Sequence, residues 1–312
     1  MKVFVVGSLA YDRIMNFPGY FKDHIIPSKI HILNVSFHLE KYNEEFGGTA
    51  GNIAYNLALL GEQPVIFATA GNNFGKYKDW LRSKKVDVSK IKIVDRELTA
   101  TAHIITDQSD NQITGFYAGA MKYPANPLPR SFRNKKAMGI VAPGNMEDMV
   151  KFPKLFKQYN IPYIFDPSMQ IPRLSKQELI SGIKGCSVLI GNDYEMQMLM
   201  KKTGLNKRVL LSQVPLVVTT KGPKGSVIDT AVQRFVIPPA QPANQSDPTG
   251  AGDAFRAGLI KGLINDYPLE KIGKLASTVA VYTVEKYGTQ THRFNWASVK
   301  KRYNKNFKEN LR

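Results

Sequence analysis

Asp247-Pro248-Thr249-Gly250-Ala251-Gly252-Asp253-Ala254-Phe255 is the stretch on which the reading of this 312-residue chain turns. Gly250 and Gly252 permit a tight backbone turn that side chains would block. Beyond them Ala254 to Ile264 has the apolar spacing of a helix, with Ala254, Ala257 and Leu259 among its apolar positions. A glycine turn that feeds a helix N-terminus offers unpaired N–H groups and the positive end of the helix dipole, a site for an anion such as phosphate. Asp253 stands at its mouth, where a carboxylate could take a proton from an attacking hydroxyl. A plain Gly-rich turn capped by Asp explains the same residues, and the rest of the chain has to decide.

The chain before this stretch alternates strand and helix. Val3–Gly7 is a short apolar run that suits a buried strand, and Asp12 follows just past its end. Gly47-Gly48-Thr49-Ala50-Gly51-Asn52 opens a helical run from Ala50 to Leu60, closed by Gly61. Val65–Thr69, Gly139–Val141, Tyr163–Phe165, Ser187–Ile190 and Leu216–Thr219 read as strands. Helices are expected over Gly75–Lys84, Met146–Tyr159 and Ser175–Ile183, and another carries Asn192-Asp193-Tyr194-Glu195. This order predicts a mainly parallel sheet covered on both faces. Ser226–Ile228 and Gln233–Ile237 read as an antiparallel hairpin edge, and helices follow over 254–264, 268–286 and from about Asn295. Three stretches, about 12–18, 30–46 and 99–118, contain strand-like pieces with no helix between them; Ile30–Val35 and Phe37–Leu39 are two such pieces. They predict a small separate sheet that serves as a lid or an oligomerisation surface. No internal repeat or low-complexity linker divides the chain, so 1–312 is expected to form one domain with a lid.

Composition narrows the function classes. The chain is 43% hydrophobic and 22% charged, which predicts a packed globular core rather than disorder. Its single cysteine, Cys186, excludes an intrachain disulfide framework and reads as a small buried residue. The N-terminus reads as a first strand rather than a signal peptide, and no apolar run reaches the roughly 18 residues of a membrane span, so a soluble, cytoplasmic protein is expected. The formal net charge of +18 suits anionic metabolites or nucleic acid. The basic residues are spread out, with one dense patch from Lys300 to Arg312, and no nucleic-acid signature accompanies them. A solvated basic face is the expectation, and neither nucleic acid nor membrane is expected as a partner.

Taken together, these segments resemble the ribokinase-like (PfkB) family of carbohydrate and nucleoside kinases over nearly the whole chain, from Asp12 to about Gln290. Two signatures carry the resemblance, Gly47–Ala54 and Asp247–Phe255, with an N-x-x-E pattern at Asn192–Glu195 and a T-x-G-x-x-G pattern at Thr220, Gly222 and Gly225 between them. Four patterns in this order are specific. The resemblance implies a three-layer α/β/α sandwich with a small β lid. It implies transfer of the γ-phosphoryl group of ATP to a hydroxyl, chemistry that consists mostly of positioning and charge neutralisation. On this resemblance the backbone of Gly250, Ala251 and Gly252 holds developing charge and Asp253 accepts the proton. Asp12, Gly47, Gly48 and Asn52 stand at the family's sugar-contacting positions. Asn192, Thr220, Gly222 and Gly225 lie along the ATP, and Glu195, with Asn192, organises Mg²⁺ through water. A monovalent cation beside the anion hole would draw ligands from Asp247 and Thr249.

Tyr11-Asp12-Arg13, Gly119-Ala120-Met121, Asp166-Pro167 with Gln170, and Val284–Gln290 are cues to the adenosine and nucleoside kinase branch. A ribonucleoside acceptor, adenosine first, is therefore expected; a sugar kinase for ribose or another carbohydrate is the alternative. A non-catalytic nucleoside- or sugar-binding protein fits less well, because it has no need of Asp253. A base needs an apolar platform, and Phe17, Phe37, Phe116 and Tyr117 in the lid segments supply either that or the lid's own small core. Arg256 follows Asp253 at helical spacing and reads as a phosphate-steering group or a surface arginine. The chain is expected as a monomer or a lid-mediated homodimer.

Overall fold

The computed structural model describes residues 1–109 and 111–311. In chain order the strands are β1 (Lys2–Val6), β2 (Ala10–Asn16), β3 (Lys41–Gly47), β4 (Gln63–Phe67), β5 (Thr69–Gly71), β6 (Lys92–Val94), β7 (Ala100–Thr106) and β8 (Gln112–Tyr117). They continue with β9 (Ala137–Val141), β10 (Tyr163–Phe165), β11 (Val188–Asn192), β12 (Leu216–Thr220), β13 (Ser226–Asp229) and β14 (Arg234–Ile237). The helices are α1 (Thr49–Leu59), α2 (Gly75–Ser83), α3 (Met146–Gln158), α4 (Lys176–Ile183), α5 (Asp193–Thr203), α6 (Lys207–Gln213), α7 (Ala251–Ile264), α8 (Leu269–Val284) and α9 (Trp296–Phe307).

The main sheet has eight strands in the order β14-β13-β12-β11-β10-β9-β1-β4. Its six strands from β12 to β4 are parallel, and β13 and β14 complete the edge as the expected antiparallel hairpin. Alternation along the strands makes two cores, because successive side chains leave opposite faces. Val3 and Val5 pack with α1, α7 and α8 through residues such as Ile53, Ala257 and Val279. Phe4 and Val6 pack on the other face with Phe152 and Phe156 of α3 and Leu179 of α4. These are the three layers that the strand–helix order predicts. No helix among the described residues is long and apolar enough to cross a membrane.

A second sheet, β3-β2-β7-β8, is the expected small separate sheet (the lid sheet), and it corrects the sequence pattern in two ways. Residues Pro27–Ile32 form a 3-10 helix and 33–39 carry no regular structure, so only Lys41–Gly47 of the 30–46 stretch is a strand. Pro27 presets φ for the first helical position, and Ile30 and Ile32 remain exposed without a partner strand to cover them. β2 also pairs with β7 in parallel, although no crossover helix was expected between lid strands. The crossover exists at long range, since the chain passes through α1, β4 and α2 of the main body between them.

Candidate active site

Helix α7 begins three residues earlier than its apolar spacing predicts, at Ala251, so Gly252 and Asp253 lie in its first turn. Gly250 is its N-cap in the left-handed region (φ +77°), and no side chain caps the helix. The turn before it is held by Asp247, whose Oδ1 accepts from the Thr249 N–H at 2.8 Å and Oδ2 from the Gly288 N–H at 3.2 Å. The Ala251 N–H donates to the Pro248 carbonyl at 3.1 Å, whereas the Gly252 and Asp253 N–H groups that follow it in the first turn meet no capping side chain and are available to an anion. They open on a cavity of about 600 Å3 lined at this end by Ala251 and Gly252. Arg256, expected as a phosphate-steering or surface group, is instead buried. It pairs in fork geometry with Asp166 after β10 (Nε to Oδ2 2.5 Å, Nη2 to Oδ1 2.9 Å) and donates from Nη1 to the Gly252 carbonyl at 3.0 Å. It braces the glycine turn from behind.

Asp253 meets Asn52 of α1, whose Nδ2 donates to Oδ2 at 2.9 Å. Desolvation pushes the Asp253 pKa up to about 6; Arg256 and the Asn52 hydrogen bond oppose the rise, while Asp166 and Asp12 add to it. Asp12 on β2 is likewise pushed up to about 6 by desolvation first and then by Asp247 and Glu45. Gly47 exists for this carboxylate: a Cβ there would lie 2.3 Å from Asp12 Oδ2. Gly48 has φ +85° and would place a Cβ 2.6 Å from the Ser8 carbonyl, so the strand-to-α1 turn admits no side chain. Asp12, Gly47, Gly48, Asn52 and Asp253 therefore gather at one point between lid and main sheet.

The remaining motif residues line the other end. Thr220 closes β12, and Gly222 (φ +56°) and Gly225 (φ +83°) shape the turn that follows. All three line the cavity, whose apolar walls include Pro239, Phe255, Ala280, Val281 and Val284. These walls come from dispersed positions, which is why no motif marks them. Asn192 pairs in register with Thr220 on the neighbouring strand. Its side chain accepts from the Glu195 N–H at 2.8 Å while Glu195 Oε2 accepts from the Asn192 N–H at 2.7 Å, a capping box for α5. Glu195 Oε1 also accepts from Ser168 Oγ at 2.6 Å. Among the described residues no group of three or more His, Cys, Asp or Glu side chains could hold a metal ion by itself.

Of the two uses expected for the four aromatics, Phe17 and Phe37 take the second, and Tyr117 takes neither. Phe17 and Phe37 pack on each other with centroids 4.8 Å apart, joined by Phe21 and His24, as a small lid core. Tyr117 stands in register with Thr101 and Tyr11, on the lid face away from Asp12, and donates to Glu97 Oε2 at 2.7 Å. Phe116 alone is in register with Ala102 and Asp12, so it shares the face of Asp12, and it is 53% exposed.

The motifs also miss a buried set next to Asn52. Gln290 donates from Nε2 to Asn52 Oδ1 at 3.0 Å and to the Tyr77 hydroxyl at 2.6 Å, and accepts at Oε1 from Trp80 Nε1 at 3.0 Å. Tyr77 donates to the Gly47 carbonyl at 2.8 Å, and Thr289 Oγ1 to the Phe46 carbonyl at 2.7 Å. The only sequence signal was the Val284–Gln290 stretch, which carries no chemistry when read alone.

Known proteins resemble this chain along most of its length. The model of the pfkB family carbohydrate kinases matches residues 2–295. A nucleoside kinase of Methanocaldococcus jannaschii is 31% identical over 306 residues, which are 97% of each chain. The solved structure of a nucleoside kinase from the same species superposes with a TM-score of 0.87 at 30% identity, over 97% of this chain and 98% of that one. Burkholderia thailandensis nucleoside kinase in complex with inosine superposes with a TM-score of 0.86 at 32% identity over 99% of both chains. With a ribokinase fold, a family match along most of its length and relatives of this kind, the chain belongs to the pfkB family of carbohydrate kinases and is a phosphotransferase with an alcohol group as acceptor.

Proposed function

We propose that the chain is an ATP-dependent kinase that transfers the γ-phosphoryl group to the 5′-hydroxyl of a ribonucleoside, with adenosine as the first substrate to try. One observation carries the reading: Asp253, in the first turn of α7, receives a hydrogen bond from Asn52 beside Asp12, while the same turn lines the cavity. Asp12 and Asn52 orient the ribose hydroxyls over Gly47 and Gly48. Asp253 takes the proton of the attacking hydroxyl as its oxygen bonds to the γ-phosphorus and the bond to the β-phosphate oxygen breaks, leaving ADP. The N–H groups at the head of α7 stabilise the charge that builds on the transferred group.

The donor occupies the cavity along Thr220, Gly222 and Gly225, with its adenine against the apolar wall. Glu195 and Asn192 suit Mg²⁺ held through water, since both Glu195 oxygens already accept from protein groups and, among the described residues, no cluster of three or more His, Cys, Asp or Glu side chains stands ready to cage an ion. When bound, the ion neutralises phosphate charge. Asp247 and Thr249 are the residues a monovalent cation would meet beside the turn. Phe116, on the face of Asp12, supplies the base platform. The solved complexes of the Burkholderia relative with inosine and with ADP-inosine support a nucleoside rather than a free sugar as acceptor.

The test is the position of the new phosphate, read by phosphorus NMR on the product from adenosine and Mg-ATP. A 5′-monoester is expected. A 2′- or 3′-ester, or no turnover on any ribonucleoside while ribose is phosphorylated, overturns the proposal.

A further inference from the structure

The amide of Asn52 has two orientations, and they are opposite in effect. With Nδ2 toward Asp253 it stabilises a carboxylate; with Oδ1 toward Asp253 it repels one. Nothing in Asn52 itself chooses between them, since its amide both donates and accepts. The surroundings do.

Trp80 Nε1 is a donor only, and it sits 3.0 Å from the side-chain carbonyl of Gln290. Tyr77 has one hydroxyl proton, which it gives to the Gly47 carbonyl, so toward Gln290 its oxygen can only accept. Both ends of the Gln290 amide are thereby assigned: carbonyl to Trp80, Nε2 to Tyr77 and to Asn52 Oδ1. With its carbonyl claimed by Gln290, Asn52 must turn Nδ2 to Asp253. Gly51 is part of the same device. A Cβ there would fall 1.8 Å from the Tyr77 oxygen and 3.1 Å from Gln290 Nε2, so only glycine leaves room for the junction.

We propose that Gln290 is a positioning residue for phosphoryl transfer: Trp80 and Tyr77 set the polarity of its amide, and it in turn holds Asn52 as a donor to Asp253. The chain Trp80–Gln290–Asn52–Asp253 runs one way, from a group that can only donate to a group that works only when it accepts. Through Tyr77 and Gly47 the same amide ties this polarity to the end of lid strand β3. The proposal rests on the reading of Asp253 as proton acceptor. The charged or titratable groups that face Asp253 are Arg256 on its own helix, Asp166 after β10, Asp12 on β2 and Tyr77 on α2. None of them is altered by the variants below.

The experiment is the pH profile of kcat/KM with Mg-ATP and adenosine for the parent chain, Gln290→Leu, Gln290→Glu and Trp80→Phe, with thermal unfolding of each. Gln290→Glu is nearly isosteric, yet its carboxylate accepts at both ends and turns the Asn52 carbonyl toward Asp253. It is expected to lose more activity than Gln290→Leu, by roughly ten- to a hundredfold against the parent, the scale of one hydrogen bond to a charged group. Its acidic limb should move up by about one pH unit, because Asp253 then ionises less readily. Trp80→Phe keeps the ring and removes the anchor, so its limb should move the same way by less. The new carboxylate of Gln290→Glu raises the Asp253 pKa by its charge in either case, so the limb is read in the neutral variants. An ordinary packing role predicts the reverse ranking, Gln290→Glu milder than Gln290→Leu, with losses that follow thermal stability and with unmoved acidic limbs in the charge-neutral Gln290→Leu and Trp80→Phe. That result overturns the proposal. Asp253→Asn in the same assay separates the two readings: if it keeps near-parent turnover the reading of Asp253 fails, and if it is inactive while the limbs of Gln290→Leu and Trp80→Phe stay in place only the positioning role fails.

Discussion

At the proposed acceptor end of the site the groups are side chains on regular elements, and each is held by another: Asp12 on β2 against Gly47, Asn52 on α1 between Gln290 and Asp253. At the proposed donor end the surface is backbone turns at Gly222 and Gly225, with apolar walls from Val281 and Val284. The difference follows from what each end has to do. A hydroxyl must be delivered to one carboxylate oxygen in one direction, so the acceptor end is a set of fixed polarities. Phosphates and a flat base need shape and N–H groups, which turns and apolar side chains largely provide. Substitutions at the two ends should therefore fail differently.

The largest effect is expected at Asp253→Asn, which keeps the shape and removes the proton acceptor. Turnover should fall by about 10²–10⁴-fold while ATP titration by calorimetry stays near the parent value. Next, Asp12→Ala should raise the KM for the nucleoside by roughly ten- to a hundredfold, the cost of losing charged hydrogen bonds, with the KM for ATP unchanged in steady-state assays. Phe116→Ala should raise the nucleoside KM about five- to 150-fold and leave turnover of free ribose untouched, since stacking on a base is worth about 1–3 kcal/mol. At the donor end Gly225→Ala inverts the pattern. Its Cβ would lie 2.1 Å from the Ile237 carbonyl at φ +83°, so the KM for ATP should rise several-fold while nucleoside binding persists.

The smallest effect concerns stability. A carboxylate whose folded pKa is raised penalises folding where it is ionised, and the penalty fades as pH falls through the folded value toward the unfolded one. For Asp12 that window runs from about 6 down to about 3.8. At pH 7 the full penalty is present, so Asp12→Asn should raise Tm by roughly 2–4 °C even as it weakens activity, and the gain should shrink below pH 5. The kcat/KM of the parent should fall as pH drops through about 6, where Asp12 and Asp253 take up protons.

The fold was largely legible because its signals are local. Val3–Val6 alternates between two cores, α3 has the spacing of one buried stripe, α1 and α7 are apolar enough to be buried along most of their length, and glycines stand at the site turns where φ is positive. The lid was legible as a place but not as a topology, because the parallel pairing of β2 with β7 depends on a crossover more than 80 residues long, through the main body. The motif residues of the site were legible for the same local reason, since turns and caps need particular residues at fixed spacing. What supports them was not. Gln290 meets Asn52 across 238 positions and Tyr77 across 213, and Arg256 finds Asp166 across 90. Helical spacing placed Arg256 beside Asp253, but only the packed sheet shows that its charge is held by Asp166, after β10.

The ratio of kcat/KM for adenosine to that for ribose, at one fixed concentration of Mg-ATP, tests the central claim most directly. If Phe116 and the lid receive a base while Asp253 receives the 5′-hydroxyl, adenosine should exceed ribose by at least about fivefold, the lower end of one base stacked on an aromatic ring. A ratio at or below one would contradict the account and make this member of the family a sugar kinase.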